Sequence, residues 1–192
     1  LQMDLAVRAY SAYVLAKAHK LTLNALRAFT DKAVNQMELG LPLVQLGLAL
    51  TLQGDATRGD ELIQRGLSLP RKADLYLGDY GSVLRDRTMM LYQLLLAEQT
   101  VPALSVHLGD ILHDIHENKY LSTQEQALVF LLGQLLEKQA KAPWQAQWVV
   151  EGNTIDLDQS GSFNRCLPSL TSDSRVLTKN DNALYFSLTT QA

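Results

Sequence analysis

The sequence predicts a mainly α-helical protein: an α/α solenoid or partial α/α toroid of alternating inner and outer helices, followed by a small antiparallel β segment. Three observations carry that prediction. Helical stretches of two kinds alternate along the chain, one apolar on nearly every side and one with a single apolar stripe. Tyr120 to Leu136 opens on a capping box, Ser122 with Glu125, and is then unbroken apolar from Ala127 to Leu132, so it is expected to be covered on most sides. After Pro143 the helical period gives way to strand period.

Taken in order, Asp4 to Ala18 is apolar nearly all round, with Leu5, Val7, Ala9, Tyr10, Ala12, Tyr13 and Val14. Asn24 to Gln36 carries only a narrow stripe, Leu26, Phe29 and Ala33, which continues to Met37. Gly40 and Pro42 punctuate, and Leu41 to Leu52 is dry again. Gly54-Asp55 ends that stretch and starts a wetter one, Ala56 to Leu67, held by Leu62, Ile63 and Leu67. Pro70 to Tyr80 breaks the rhythm, with Leu75 to Leu77 as a candidate extended stretch and Gly78 and Gly81 as turn residues. Val83 to Ala97 is dry, Leu104 to Glu117 is wet, and Thr123 to Gln139 is dry. An up-and-down bundle would make every helix similarly amphipathic; inner helices covered by outer ones would give this alternation. A closed ring needs more helices than the pattern provides, so bare apolar flanks are expected.

Beyond Pro143, Ala146 to Glu151 and Thr154 to Leu157 flank Gly152-Asn153, a short-hairpin signal. Arg175 to Leu177 and Leu184 to Thr189 flank the turn-rich Lys179 to Asn182. The tail is thin for an independent β domain, and further strands are expected from elsewhere in a longer chain. The start at Leu1, already inside a helical pattern, gives the same expectation.

The composition, 47% hydrophobic with a formal net charge of −3 over 192 residues, is that of an ordinary globular protein. No Lys/Arg run makes a phosphate-tracking stripe, so nucleic acid is not an expected partner. The single cysteine, Cys166, excludes a disulfide framework and reads as a half-buried thiol in a β segment. His113, His116 and Glu117, with Asp110 and Asp114, could be drawn as a metal cluster. The zinc-protease helix, however, needs its histidines four apart, and the expected reading is a solvated outer face. Met89 and Met90 read as core filler. Arg85, Asp86 and Arg87 open a dry helix, where charge is unexpected; they either hold a loop or neighbouring domain or form a partly exposed first turn. Glu98-Gln99 and Glu125-Gln126 have no cysteine beside them. No catalytic, cofactor-binding or metal-ligating residue is assigned, and no cofactor is expected.

The ordered set DYGSVLRDRTMMLYQLL (Asp79 to Leu95) and YLSTQEQALVFLLGQL (Tyr120 to Leu135) resembles the later helices of the thioester domain of bacterial alpha-macroglobulins. Arg8 to Phe29 and Leu46 to Leu67 fit the same pattern, and NDNALYFSLTTQA resembles the strand that returns to the hosting β domain. The resemblance implies that 1–143 is the C-terminal portion of a helical thioester-type domain and that 144–192 is part of a CUB-like β-sandwich. It implies a periplasmic protease trap, often a lipoprotein on the inner membrane, whose partners are target proteases and its own other domains. In such a trap, cleavage of a bait exposes a cysteine–glutamine thioester that acylates the protease. The family's Cys-x-Glu-Gln motif has no match here, and Cys166, followed by Leu-Pro-Ser, is no substitute. Two competing readings are an α/α-toroid enzyme, a terpenoid cyclase or glycosidase, and a helical-repeat scaffold. The first would need acidic motifs at the dry helix ends, where almost none stand. The second would need a fixed repeat length, which Pro70 to Tyr80 disturbs.

Overall fold

The computed structural model of the protein describes residues 1–69, 71–72, 80–139, 144–150, 153–159 and 174–178. The chain divides into two compact units, Leu1–Gly133 and Gln134–Ala192. Leu75 to Leu77, Gly152, Cys166 and Leu184 to Thr189 lie outside the described residues.

The helices are α1 (Gln2–Lys17), α2 (Leu23–Ala33), α3 (Gly40–Leu52), α4 (Ala56–Leu67), α5 (Val83–Leu96), α6 (Leu104–Glu117) and α7 (Thr123–Gln139). The stretch expected as one helix to Gln36 ends at Ala33 and tightens into a 3-10 turn over Val34–Gln36. Helix α3 is the centre of the first unit, with every residue from Gly40 to Leu50 buried. Helices α1 and α5 pack against it, α4 covers it, and α6 covers α5. The dry helices α1, α3 and α5 thus adjoin one another while α4 and α6 form a second layer, as the alternation predicts.

Each of these three inner helices stops in the same way, with a residue in the left-handed region and a backbone bond reaching back across the last turn. Lys20 N–H donates to the Leu15 carbonyl at 2.8 Å around His19 (φ 55°), and Asp55 N–H to Leu50 at 2.9 Å around Gly54 (φ 90°). Gln99 N–H donates to Leu94 at 3.0 Å around Glu98, also at φ 55°.

Helices α3 and α4 form an antiparallel hairpin whose backbones touch at two levels. A Cβ on Gly40 would stand 2.2 Å from the Gly66 carbonyl oxygen, and one on Gly47 would stand 2.7 Å from that of Gly59. Both pairs are spaced by two helical turns, so the glycines form one seam along which the helices are closer than any side chain permits. The neighbouring outer helices are joined by ion pairs of opposite sense. Arg27 on α2 reaches Asp55 at the start of α4 (2.6 Å), and Arg58 on α4 pairs with Asp31 on α2. Arg27's hydrogen bond, helped by the charge of Arg58, holds the Asp55 carboxyl below its ordinary value against the opposing effect of burial.

Helix α7 departs from expectation. Only Leu128 and Leu132 are buried along it, and Phe130 is 63% exposed. The apolar run is real, but its cover is not among the described residues. Helix α1 likewise buries one face, Leu5, Ala9, Ala12, Tyr13 and Ala16, and leaves the other bare. The expected bare flanks therefore fall on the first and last helices.

In the second unit β1 (Trp144–Val150) is central, antiparallel to β2 (Asn153–Gln159) on one side and β3 (Ser174–Thr178) on the other. Asn153 pairs with Val150, so it belongs to the strand and not to the turn. Along β1 the buried Ala146 and Trp148 alternate with Gln145 and Gln147. The two glutamines donate across the ladder to Asp158 (3.0 Å) and Asp156 (2.9 Å), which fixes the register.

A candidate functional site at the N-terminal ends of the inner helices

Ser82 caps α5: its hydroxyl accepts from the Arg85 N–H at 3.0 Å and donates to Glu125 Oε1 at 2.5 Å. Glu125 sits in the first turn of α7. Its Oε2 accepts the Ser122 N–H at 2.7 Å, and its own N–H donates to Ser122 Oγ at 3.3 Å, which closes the expected capping box. One carboxylate therefore ties together the starts of α5 and α7. Burial pushes the Glu125 carboxyl up, but the hydrogen bonds from Ser82 and Ser122 outweigh it and hold the group below its ordinary value. The chain enters both helices through the same pattern, Tyr80-Gly81-Ser82 and Tyr120-Leu121-Ser122, with both tyrosines exposed.

The three charges that open α5 separate in space. Asp86 is buried and accepts from Arg71 Nη1 at 3.0 Å and from Arg85 Nη1 at 2.6 Å. Of the two readings of this triplet the structure selects the first: Arg71 comes from the connection after α4, so Asp86 holds a loop. Gly81 makes room for this, since a Cβ there would lie 1.7 Å from Arg71 Nη1. Arg87 points instead to α6, where it pairs with Asp114 and lies 3.8 Å from Asp110. Among the described residues the buried Nε–H of Arg85 meets no acceptor.

Beside this network a cleft of about 390 Å³ opens between α1 and the starts of α3 and α5. Its walls include Met3, Val7, Tyr10, Leu41, Gln45 and Arg85. The size and the apolar lining with a few convergent polar groups are those of a binding cleft between helices. Gln45 is steadied from behind by a buried hydrogen bond to Gln93 at 3.3 Å. Of the methionine pair, Met90 is in the core and Met89 lines the cleft.

His113, His116 and Glu117 are exposed on α6, while Asp110 and Asp114 turn to Arg87. Among the described residues no group of three or more His, Cys, Asp or Glu is placed to hold a metal ion. Also among these, no helix is long and apolar enough to cross a membrane. Of the two Glu-Gln pairs, Glu125 serves the capping box and Glu98 ends α5 in the left-handed region. Sequence reasoning missed the Ser82–Glu125 bond and the docking of Arg71. The repeated Tyr-x-Ser and the glycine at 81 were the signals that could have found them.

No family model matches the chain. It is 41% identical over 145 residues to an alpha-2-macroglobulin of Escherichia coli (strain K12), a match that covers 74% of this chain and 9% of that protein. The solved structure of Escherichia coli alpha-2-macroglobulin activated by porcine elastase is similar with a TM-score of 0.70 at 33% identity, over 92% of this chain and 16% of that one. Salmonella alpha-2-macroglobulin reacted with methylamine is similar with a TM-score of 0.69 at 32% identity, over 93% and 12%. The chain thus spans about a tenth of the length of the curated relative it matches.

Proposed function

The chain belongs to the bacterial alpha-2-macroglobulin family, and from that premise we propose that it is a structural part of a protease-trapping inhibitor. In this reading 1–143 is the C-terminal portion of an α/α-toroid domain that shelters a thioester, and 144–192 contributes to a CUB-like β-sandwich. The observation that carries it is sequence identity of 41% together with a shared fold over nearly the whole chain. The bare flanks of α1 and α7 support it too, because they are the surfaces that further helices of a ring would cover.

The work of these residues is to hold a frame. A reactive thioester survives only while water and stray nucleophiles are kept away, and it must then be presented in a fixed geometry. The Glu125 carboxylate fixes the start of α5 against the start of α7, and the buried Arg71–Asp86 pair pins the chain at Arg71 to the first turn of α5. The 192 residues contain no Cys-x-Glu-Gln, so the thioester itself would be supplied by another part of a longer parent. Cleavage of a bait in that parent would expose the bond, and a nucleophile on the protease would be acylated and tethered. The parent is periplasmic in this reading, anchored by lipid to the inner membrane, and its partners are proteases.

The test is methylamine incorporation with free-thiol titration on the parent, before and after limited proteolysis. Uptake with release of one new thiol is the expected result. No uptake, with the protease still shielded from large substrates, would mean a trap without a thioester. Neither uptake nor shielding overturns the reading and returns the α/α-toroid enzyme.

A further inference from the structure

Helix α7 belongs to the first unit as far as Gly133, yet it is lightly held there. It buries Leu128 and Leu132 and takes part in none of the closely packed helix pairs. Helix α6 also buries two residues, but it packs on α5 and is tied to it by the ion pairs of Arg87. The connection that leads into α7, Asn118 to Tyr120, is exposed throughout, so α7 can move about it without unpacking another helix. A helix with so little buried apolar contact is one that opens locally, ahead of the rest of its unit.

The polar tie that α7 does have is the Ser82–Glu125 bond. In it the Ser82 hydroxyl gives its proton to Glu125 while its oxygen accepts the Arg85 N–H, so the direction of the bond is set by an ionised carboxylate. The charged groups on either side are engaged elsewhere. Arg71 and Arg85 meet Asp86, Arg87 meets Asp114, and Lys119 lies over the Tyr120 ring. Glu125 is thus held by hydroxyl and amide donors, from Ser82 and Ser122, and not by a cation. Protonation replaces a charge-assisted bond with a neutral one of roughly half the strength.

We propose that the Ser82–Glu125 bond is an acid-released latch: when Glu125 takes up a proton, the first turns of α7 open from the start of α5 while α3 stays closed. Opening uncovers Leu128 and Leu132 beside the already exposed Phe130, so acid enlarges the apolar surface of α7. The sign agrees with the carboxyl being held below its ordinary value, because such a group stabilises the closed form until the pH falls through that lowered value. The device belongs to these residues and holds whether or not the parent carries a thioester.

The test is hydrogen–deuterium exchange of the 192-residue chain at neutral pH and at pH about 3, corrected for the intrinsic pH dependence of exchange. The amides of Gln126 to Leu132 are expected to lose about fivefold in protection on acidification, the equivalent of one cap, beyond any loss in α3. Glu125→Gln should show that loss already at neutral pH and change little further in acid. Ser82→Gly keeps Glu125 and its capping box and removes only the hydroxyl, since glycine caps a helix nearly as well as serine. It should therefore loosen α7 at neutral pH, with circular dichroism confirming that the helices are retained. Three results overturn the latch: α3 losing protection in step with α7, Glu125→Gln keeping the acid response of the unaltered chain, or Ser82→Gly leaving α7 as protected as before.

Discussion

Glu125 shows how one side chain can serve two levels of structure. The capping box it forms with Ser122 is local and legible in the sequence, whereas its bond to Ser82 joins residues far apart in the chain and is not. The linkage has a sign. Because the carboxyl is held below the ordinary value of 4.5, its contribution to stability is complete above that value and is lost as the pH falls through the depressed one. Glu125→Gln, which cannot ionise, should lower stability at neutral pH by roughly 1 kcal/mol, the usual worth of a cap. It should also flatten the acid limb of a stability profile measured by urea denaturation between neutral pH and pH about 3. A variant whose loss of stability is the same at both ends would mean that the charge on Glu125 does nothing. Arg71 makes the complementary point. A buried arginine can be paired only from the structure, yet the glycine at 81, where Arg71 needs the room, left a trace in the sequence.

At the scale of elements the helix boundaries were legible because caps and periodicity are local properties. What was not legible was whether a dry helix is covered within the same chain. Apolar surface on α7 states that a cover is needed, but composition is silent on where it comes from, and Phe130 stands exposed. The α3–α4 hairpin provides a sharper test of packing. In Gly47→Ala the new Cβ would lie 2.7 Å from the Gly59 carbonyl oxygen and 2.8 Å from Ile63 Cγ1, so the helices must part. Overpacking of about 1–3 kcal/mol exceeds the gain of up to about 1 kcal/mol from alanine's helix propensity, and the variant should be net destabilised. Gly109 on α6 has nothing within 4 Å of its would-be Cβ, so Gly109→Ala should be stabilising by up to about 1 kcal/mol. Urea midpoints of the two variants should therefore move in opposite directions. If both rise, the close approach of α3 and α4 carries no energetic weight.

At the scale of the molecule the two layers follow from the order of dry and wet stretches, while the tail depends on strands whose partners composition cannot name. The glycine seam has a further consequence, for the order in which the chain folds. Helices α3 and α4 are neighbours in sequence, joined by a tight turn at Gly54, so closing their contact costs little loop entropy. They also hold the longest unbroken run of buried helical residues among those described, Gly40 to Leu50. Early contact formation and deep burial then coincide in one hairpin, which makes it the natural nucleus onto which α1 and α5 condense. Under native conditions the amides of Val44 to Leu50 should be the last to exchange with deuterium, opening only with the whole first unit. Faster exchange there than in α6 would move the nucleus elsewhere. A chain built this way would assemble outward from its most enclosed helix, with its two bare flanks left for last.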